Sequence, residues 1–286
     1  MRKNLIAVGL VLAAGAVQAQ DRVAWTVDGF ALPESVAADP ASGMLFVSNM
    51  GVDPMNKDGD GFIARISAEG SMDRLDWVTG LDAPKGMDVA GGTLYVADID
   101  QLLAIDIASG QVTDRFMAEG AQFLNDVAAA PDGRIFVSDT FGSAIYVLDN
   151  GGLSLFVQDA KALSGANGLL VVDGALLVAN LGDLSGGFEN IKPGPVMRVD
   201  LATKEMTPYG ADGPVGVLDG IESDGADGVL LTDYAKGALL SLKPGESATE
   251  VALVGTGAAD LEVLQDLGLA VIPVSPENKV VAIRYK

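Results

Sequence analysis

The sequence predicts an all-β fold, a six-bladed β-propeller with four strands per blade, and three observations carry that prediction. Short β-rich runs alternate with Gly, Asn and Asp turns along the chain, and no stretch keeps a helical period. A polar residue recurs at the start of each repeat: Glu34, Lys85, Asn125, Asn167, Asp219 and Asp260 fall in one column, separated by 51, 40, 42, 52 and 41 residues. That period is the length of a propeller blade rather than of a helical solenoid turn. A second column, Asn49, Asp98, Asp139, Asn180 and Asp233, follows the first by 15, 13, 14, 13 and 14 residues and closes the second strand of five blades.

The chain opens with Met-Arg-Lys-Asn, an apolar run from Leu5 to Ala16, and Val17-Gln-Ala19. A basic start, a short apolar core and a small-residue cleavage site are the parts of a secretory signal peptide, here residues 1–19. The run is too short to span a bilayer and no later segment replaces it, so no membrane anchor is expected. The expected product is one propeller domain over residues 20–286, exported to the periplasm or the extracellular space. Arg22 to Val27 then reads as a strand without a partner of its own, while the last repeat, from Asp260 onward, contains only three strands. The simplest closure adds this N-terminal strand to the last blade as its outer strand and leaves no open edge. The other possibility is an incomplete blade with a loose N-terminus.

Blade one starts at Glu34 and ends near Trp77, and blade two starts at Lys85 with a Gly91-Gly92 turn. Blade three holds the clearest repeat, Phe123-Leu-Asn-Asp-Val-Ala-Ala-Ala-Pro-Asp-Gly-Arg-Ile-Phe-Val-Ser-Asp139, in which a Pro-Asp-Gly turn joins two strands. Blades four, five and six start at Asn167, Asp219 and Asp260. Two connections exceed the rest, Asn49 to Gly61 and Leu181 to Gly194, both between the second and third strands of a blade. In a propeller that position lies on the face where the inner strands begin, and long loops there either wall a pocket or are neutral excursions. The second column reads as architecture, with short carboxylates and amides bonding the backbone of the following turn.

Charge and composition narrow the chemistry. Subtracting Arg2 and Lys3 from 18 basic residues leaves 16 against 39 acidic ones, a net charge of −23. Such a surface repels phosphate backbones and argues against nucleic acid as a partner. With no cysteine, the fold must hold without disulfides, which a closed ring can do. With no histidine, a serine or cysteine triad, a histidine base and most zinc, copper and non-haem iron sites are excluded. Carboxylates, amides, Lys, Tyr and hydroxyls remain, and oxygen donors of that kind suit calcium or magnesium.

Glu34, Asn125, Asn167 and Asp219 supply two carboxylates and two amide oxygens to one point on the axis, enough to neutralise a divalent cation and leave positions for water or substrate. Calcium is the first expectation, ahead of magnesium, manganese or zinc. Asn56-Lys-Asp-Gly-Asp-Gly61 looks like the start of a calcium loop, but Ser67 stands where an EF-hand needs Glu, so a polar Gly-rich loop is expected. Tyr234 and Lys236, in the fifth-blade loop, either line the pocket mouth or are exposed side chains with no particular role.

Through Glu34, the Asn125 segment, Ala-Asn167-Gly-Leu and Leu-Asp219-Gly-Ile, the chain resembles the senescence-marker protein, gluconolactonase and luciferin-regenerating enzyme family, with regucalcin among its relatives. The resemblance spans essentially residues 20–286. It implies a divalent metal at the top of the channel, held by Glu34, Asn167 and Asp219, with Asn125 on metal, substrate or water. It also implies hydrolysis of a small-molecule lactone, ester or phosphoester. Phe123 departs from the arginine that sugar-acid-binding members place there, which argues against a sugar lactone. Lys85 joins the ring beside Glu34, either to clamp a substrate carboxylate or oxyanion or to pair with Glu34 or Asp260. The expected roles are Asp219 and Lys85 catalytic, Asn125, Lys85 and Phe123 substrate-binding, and Glu34, Asn125, Asn167 and Asp219 metal-binding. The rival expectation is a non-catalytic binding propeller whose top face docks a protein.

Overall fold

The computed structural model describes residues 22–286, so the expected signal peptide lies outside the described residues. Five blades are consecutive antiparallel four-stranded sheets. Blade one comprises Pro33–Ala38, Met44–Asn49, Gly61–Ser67 and Met72–Leu81; blade two, Pro84–Ala90, Thr93–Asp98, Gln101–Asp106 and Gln111–Met117. Blade three runs from Leu124–Ala129 to Gly152–Gln158, blade four from Ala166–Val172 to Met206–Pro208, and blade five from Leu218–Ser223 to Thr249–Leu253.

The sixth sheet closes the ring. Val23–Asp28 pairs antiparallel with Lys279–Arg284, the last strand of the chain, and becomes the outer strand beside Leu269–Val274 and Glu262–Leu264. The N-terminal strand is therefore the missing strand of the last blade, as its lack of a local partner suggests. In this blade Asp260 precedes its short inner strand rather than lying within it, and its N–H donates to the Glu34 carbonyl across the closure.

Alternating apolar residues on each strand bury one face against the blade before and the other against the blade after. The core is accordingly split into clusters that each bridge two neighbouring blades. The cluster between blades one and six includes Val27, Phe30, Leu45, Val271 and Val280, so the closing strand is held by packing as well as by hydrogen bonds.

One irregularity recurs where it matters. The inner strands of blades one to five lose register directly at the polar column, between Pro33 and Val36, Pro84 and Met87, Leu124 and Val127, Ala166 and Leu169, and Leu218 and Ile221. Such bulges leave residues unpaired and re-aim their side chains. The freed N–H groups find hydroxyls on the second strand: Ser35 donates to Ser48 Oγ, Asp126 to Ser138 Oγ and Gly220 to Thr232 Oγ1. Glycine follows the column residue in blades four and five because the next inner strand passes too close for a side chain. A Cβ on Gly168 would stand 2.3 Å from the Asp219 carbonyl oxygen, and one on Gly220 would stand 2.4 Å from an Asp260 carboxylate oxygen.

Candidate active site

The bulges point Glu34, Lys85, Asn125, Asn167 and Asp219 into one cavity of about 670 Å³ at the end of the channel where the inner strands begin. All five side chains are buried, Lys85 at 1% and Asn167 at 2% exposure. The expected metal set therefore gathers at one place, although its members are separated by up to 185 positions in sequence, from Glu34 to Asp219. Asn167 Nδ2 donates to Asp219 Oδ1 at 3.2 Å and more weakly to the Leu218 carbonyl at 3.4 Å.

Two acceptors in this ring have no partner among the described residues: Glu34 Oε2 and Asn167 Oδ1 are buried without a hydrogen bond. A third, Asn180 Oδ1, lies outside the cavity. An orphaned buried acceptor costs on the order of 1–3 kcal/mol, so two on the wall of one cavity describe a place that is incomplete without a donor or a cation. Electrostatics agree. Glu34 is pushed well above the usual carboxylate range by burial first, then by the charges of Asp219 and Asp260, with Lys85 opposing. Asp219 is raised by burial and by Asp260, against the Asn167 hydrogen bond. Nearby Tyr234 is raised by burial and by the same two carboxylates, Asp219 and Glu34.

These residues fit a divalent cation of the oxygen-seeking kind. Among the described residues no three acidic side chains are arranged to hold a metal by themselves. A cation here would use the two amide oxygens beside Glu34 and Asp219, which favours calcium's tolerance of carbonyl donors.

Lys85 makes neither of the ion pairs weighed for it. Its ammonium donates to the carbonyls of Ala83 at 2.9 Å and Pro54 at 3.2 Å, and lies 4.4 Å from the centre of the Phe123 ring. Burial lowers its pKa to about 8 despite the opposing charges of Glu34 and Asp98. Since Pro54 belongs to the long loop of blade one, Lys85 also ties that loop to the channel wall.

Both long loops wall the cavity, through Met50, Pro54 and Met55 on one side and Leu181, Phe188 and Ile191 on the other. Phe123 lines it too, stacked on Phe141 with centroids 4.6 Å apart, and Tyr234 joins from blade five. Lys236 does not, being exposed and paired with Glu250 at 2.7 Å. The Asn56–Gly61 loop is the expected polar loop: Asp60 accepts from the Val52 N–H, and Lys57 pairs with Asp100 at 2.6 Å.

The second column is architectural, with one difference from expectation. Asp98 accepts from Asp82 and Ala83, Asp139 from Gln122 and Phe123, and Asn49 from Ala31, all in the segment that enters the blade. On the following side Asp139 also accepts from Gly142 and Asp98 weakly from Gln101 Nε2, while Asp233 accepts from Lys236 in the following turn. The residue closing the second strand faces the start of the first, so the entering segment is the nearer donor.

Farther along the axis lies a second acidic group; of its members the sequence pattern singled out only Asp260, which stands here rather than in the ring cavity because it precedes its short inner strand. Asp88, Asp126, Glu222, Asp260 and Glu262 line a smaller cavity of about 80 Å³. Asp126 bridges the N–H groups of Val127 and Leu169, Asp88 those of Val89 and Ala129, and Glu262 accepts from Ala38. Each reaches the inner strand of the next blade. The available signal was positional: Asp126 adjoins Asn125, while Asp88 and Glu222 each stand three residues after a column residue.

The sequence matches no protein-family model and no curated protein. The fold, by contrast, is shared with solved structures. A gluconolactonase from Xanthomonas campestris superposes with a TM-score of 0.66 at 17% identity, over 94% of this chain and 92% of that one. Regucalcin from Agrobacterium tumefaciens, described as a calcium-binding protein, gives 0.64 at 16% identity over 92% of each chain. Virginiamycin B lyase from Staphylococcus aureus, a catalytically inactive variant with a histidine replaced by alanine, gives 0.59 at 13% over 91% of this chain and 98% of that one. The gluconolactonase and regucalcin neighbours share the six-bladed fold that the resemblance implies.

Proposed function

We propose that the protein is a divalent-cation-dependent hydrolase of the lactonase or esterase type, with its reaction centre at Glu34, Asn125, Asn167 and Asp219. The observation that carries this reading is the pair of unpartnered buried oxygens, Glu34 Oε2 and Asn167 Oδ1, on the wall of the same cavity. The gluconolactonase and regucalcin neighbours support it. The lyase neighbour does not serve as a template, because its inactive form lacks a histidine and this chain has none.

When bound, a calcium-type cation supplies polarisation of the scissile carbonyl and a more acidic water. The chain's own groups do the rest. Asp219 has one oxygen engaged by Asn167, while no hydrogen bond among the described residues reaches the other, leaving it able to take a proton from the attacking water. Water oxygen adds to the carbonyl carbon, the bond to the alkoxide oxygen breaks, and the proton held on Asp219 passes to that oxygen. Asn125 and Asn167 fix the geometry at the ring. Lys85 places positive charge beside the developing oxyanion, with two of its three donors already held by carbonyls. Phe123 and Phe141 keep bulk water from one wall.

The test is turnover of a panel of lactones and aryl esters with calcium and with chelator. Chelator-sensitive hydrolysis is expected; calcium binding by calorimetry with no turnover of any member would replace this reading with the binding-propeller one. The Leu5–Ala19 segment supports export, and N-terminal sequencing of the mature protein after Ala19 is the corresponding check.

A further inference from the structure

The ring of polar residues is the floor of the cavity, and what stands above it has a different chemistry. Phe123, stacked on Phe141 at 4.6 Å and 16°, leads to Phe188, whose ring meets Phe141 edge-on at 6.0 Å and 67°. The three rings form a continuous aromatic path from the buried floor to the rim, where Phe188 is 65% exposed. Phe188 sits in a short 3₁₀ turn of the long blade-four loop, directly after Gly187, whose φ of 74° a side chain would resist. The opposite wall brings Met50 and Met55 from the blade-one loop.

Two of the four hydroxyl groups lining the cavity are already engaged, while Tyr234 and Thr256, on blade five and beyond it, stand away from the three rings in sequence. Thr140 Oγ1 donates to the Ala166 carbonyl and Ser275 Oγ to the Pro33 carbonyl. A polyhydroxylated arm laid along Phe123, Phe141 and Phe188 would surrender hydrogen bonds to water and meet ring carbon in their place, a loss that apolar contact does not repair. A flat or aliphatic group would instead cover aromatic surface that solvent now touches. The cavity's volume, about 670 Å³, is that of a small-molecule site and too small for a folded partner.

We propose that the ligand of this site is an ester or lactone bearing an aryl or alkyl arm, with its carbonyl at the polar ring and the arm along Phe123, Phe141 and Phe188. This rests on the hydrolase reading for the carbonyl end and on the aromatic path for the arm. Phe188 is then a specificity-determining residue: it touches the far end of the arm and none of the reacting atoms.

Calorimetry on the protein with calcium separates the two parts, using lactams that resist hydrolysis. A six-membered lactam carrying a phenyl or pentyl arm is expected to bind at least ~10-fold tighter than a polyhydroxylated lactam of the same ring size. Phe188→Ser, at an exposed position, is expected to cost about 10-fold in affinity for the arm-bearing lactam and nothing for the hydroxylated one, with an unchanged melting temperature. Equal or tighter binding of the hydroxylated lactam, or indifference of the arm-bearing one to Phe188→Ser, overturns the proposal. If the lactams behave as expected but the matching lactone is not turned over, the ligand class stands and hydrolysis falls. If a sugar lactone is turned over regardless of Phe188, hydrolysis stands and the arm falls.

Discussion

Both ends of the channel hold carboxylates, Glu34 and Asp219 beside Lys85 at the entrance and five acidic residues at the deep end, and treat them differently. At the deep end Asp88, Asp126 and Glu262 spend their oxygens on backbone N–H groups of adjoining inner strands, and Asp260 accepts from Ser35 at 2.6 Å. At the entrance Glu34 and Asn167 each keep a buried oxygen with no partner. The first group is a set of clasps between blades, whereas the second is a set of unfilled acceptors beside a cavity. Acidity alone therefore does not mark a site; lone pairs left over after folding do.

The comparison predicts that substitutions at the two ends fail in different ways. The largest effect is expected from Asp219→Asn, which keeps the shape of the side chain but cannot accept a proton. Turnover should fall by about 10³-fold or more in steady-state assays, with the melting temperature nearly unchanged. A normal rate in a folded Asp219→Asn protein would remove that residue from the chemistry. Next, Glu262→Ala leaves the Ala38 N–H without its acceptor and should cost about 1–3 kcal/mol in denaturant unfolding, while calcium affinity holds within about twofold. A loss of calcium affinity larger than the loss of stability would mean that the two ends are one site.

The smallest effect is graded with pH. Burial raises Asp260 and Glu262 to about 7, with neighbouring carboxylates adding to burial's effect and hydrogen bonds opposing it. Unfolded, such groups titrate near ~4. A raised folded pKa means that the native state holds protons the unfolded state has released. The associated stability is fully present below about pH 4 and is lost as pH rises through about 7. In chelator, stability should decline across that window by up to about 1.4 kcal/mol per pH unit for each group, and Glu262→Gln should flatten part of the slope. Denaturant midpoints at a series of pH values measure this; a rise in stability from pH 4.5 to 7 would contradict the burial of these groups as acids.

How much was legible follows from which interactions are local. The blades could be counted because each one repeats a strand-turn pattern within about 40 to 50 residues, and the five top-ring residues could be aligned because each stands at the same place in that pattern. The partner for Val23–Asp28 could be inferred because a ring has no tolerable open edge. Lys85 shows where the reading stopped. Its column position put it beside Glu34, but its donors went to Ala83 and Pro54, since a loop folding over the channel offered carbonyls. The aromatic path was similarly hidden, because Phe123, Phe141 and Phe188 come from separate segments with no common spacing.

The amino-acid order by itself determined the class of fold, the number of blades and the column of polar residues, five of which line the entrance cavity while the sixth, Asp260, lines the deeper one. These rest on alternation and recurrence along one strand or one repeat, which any reader of the chain can count. Only the tertiary structure decided which of the axial oxygens are satisfied and which remain open, because that depends on how closely neighbouring inner strands approach. Gly168 lets the inner strands of blades four and five come near enough for Asp219 to meet Asn167, while among the described residues no donor reaches Glu34 Oε2 or Asn167 Oδ1.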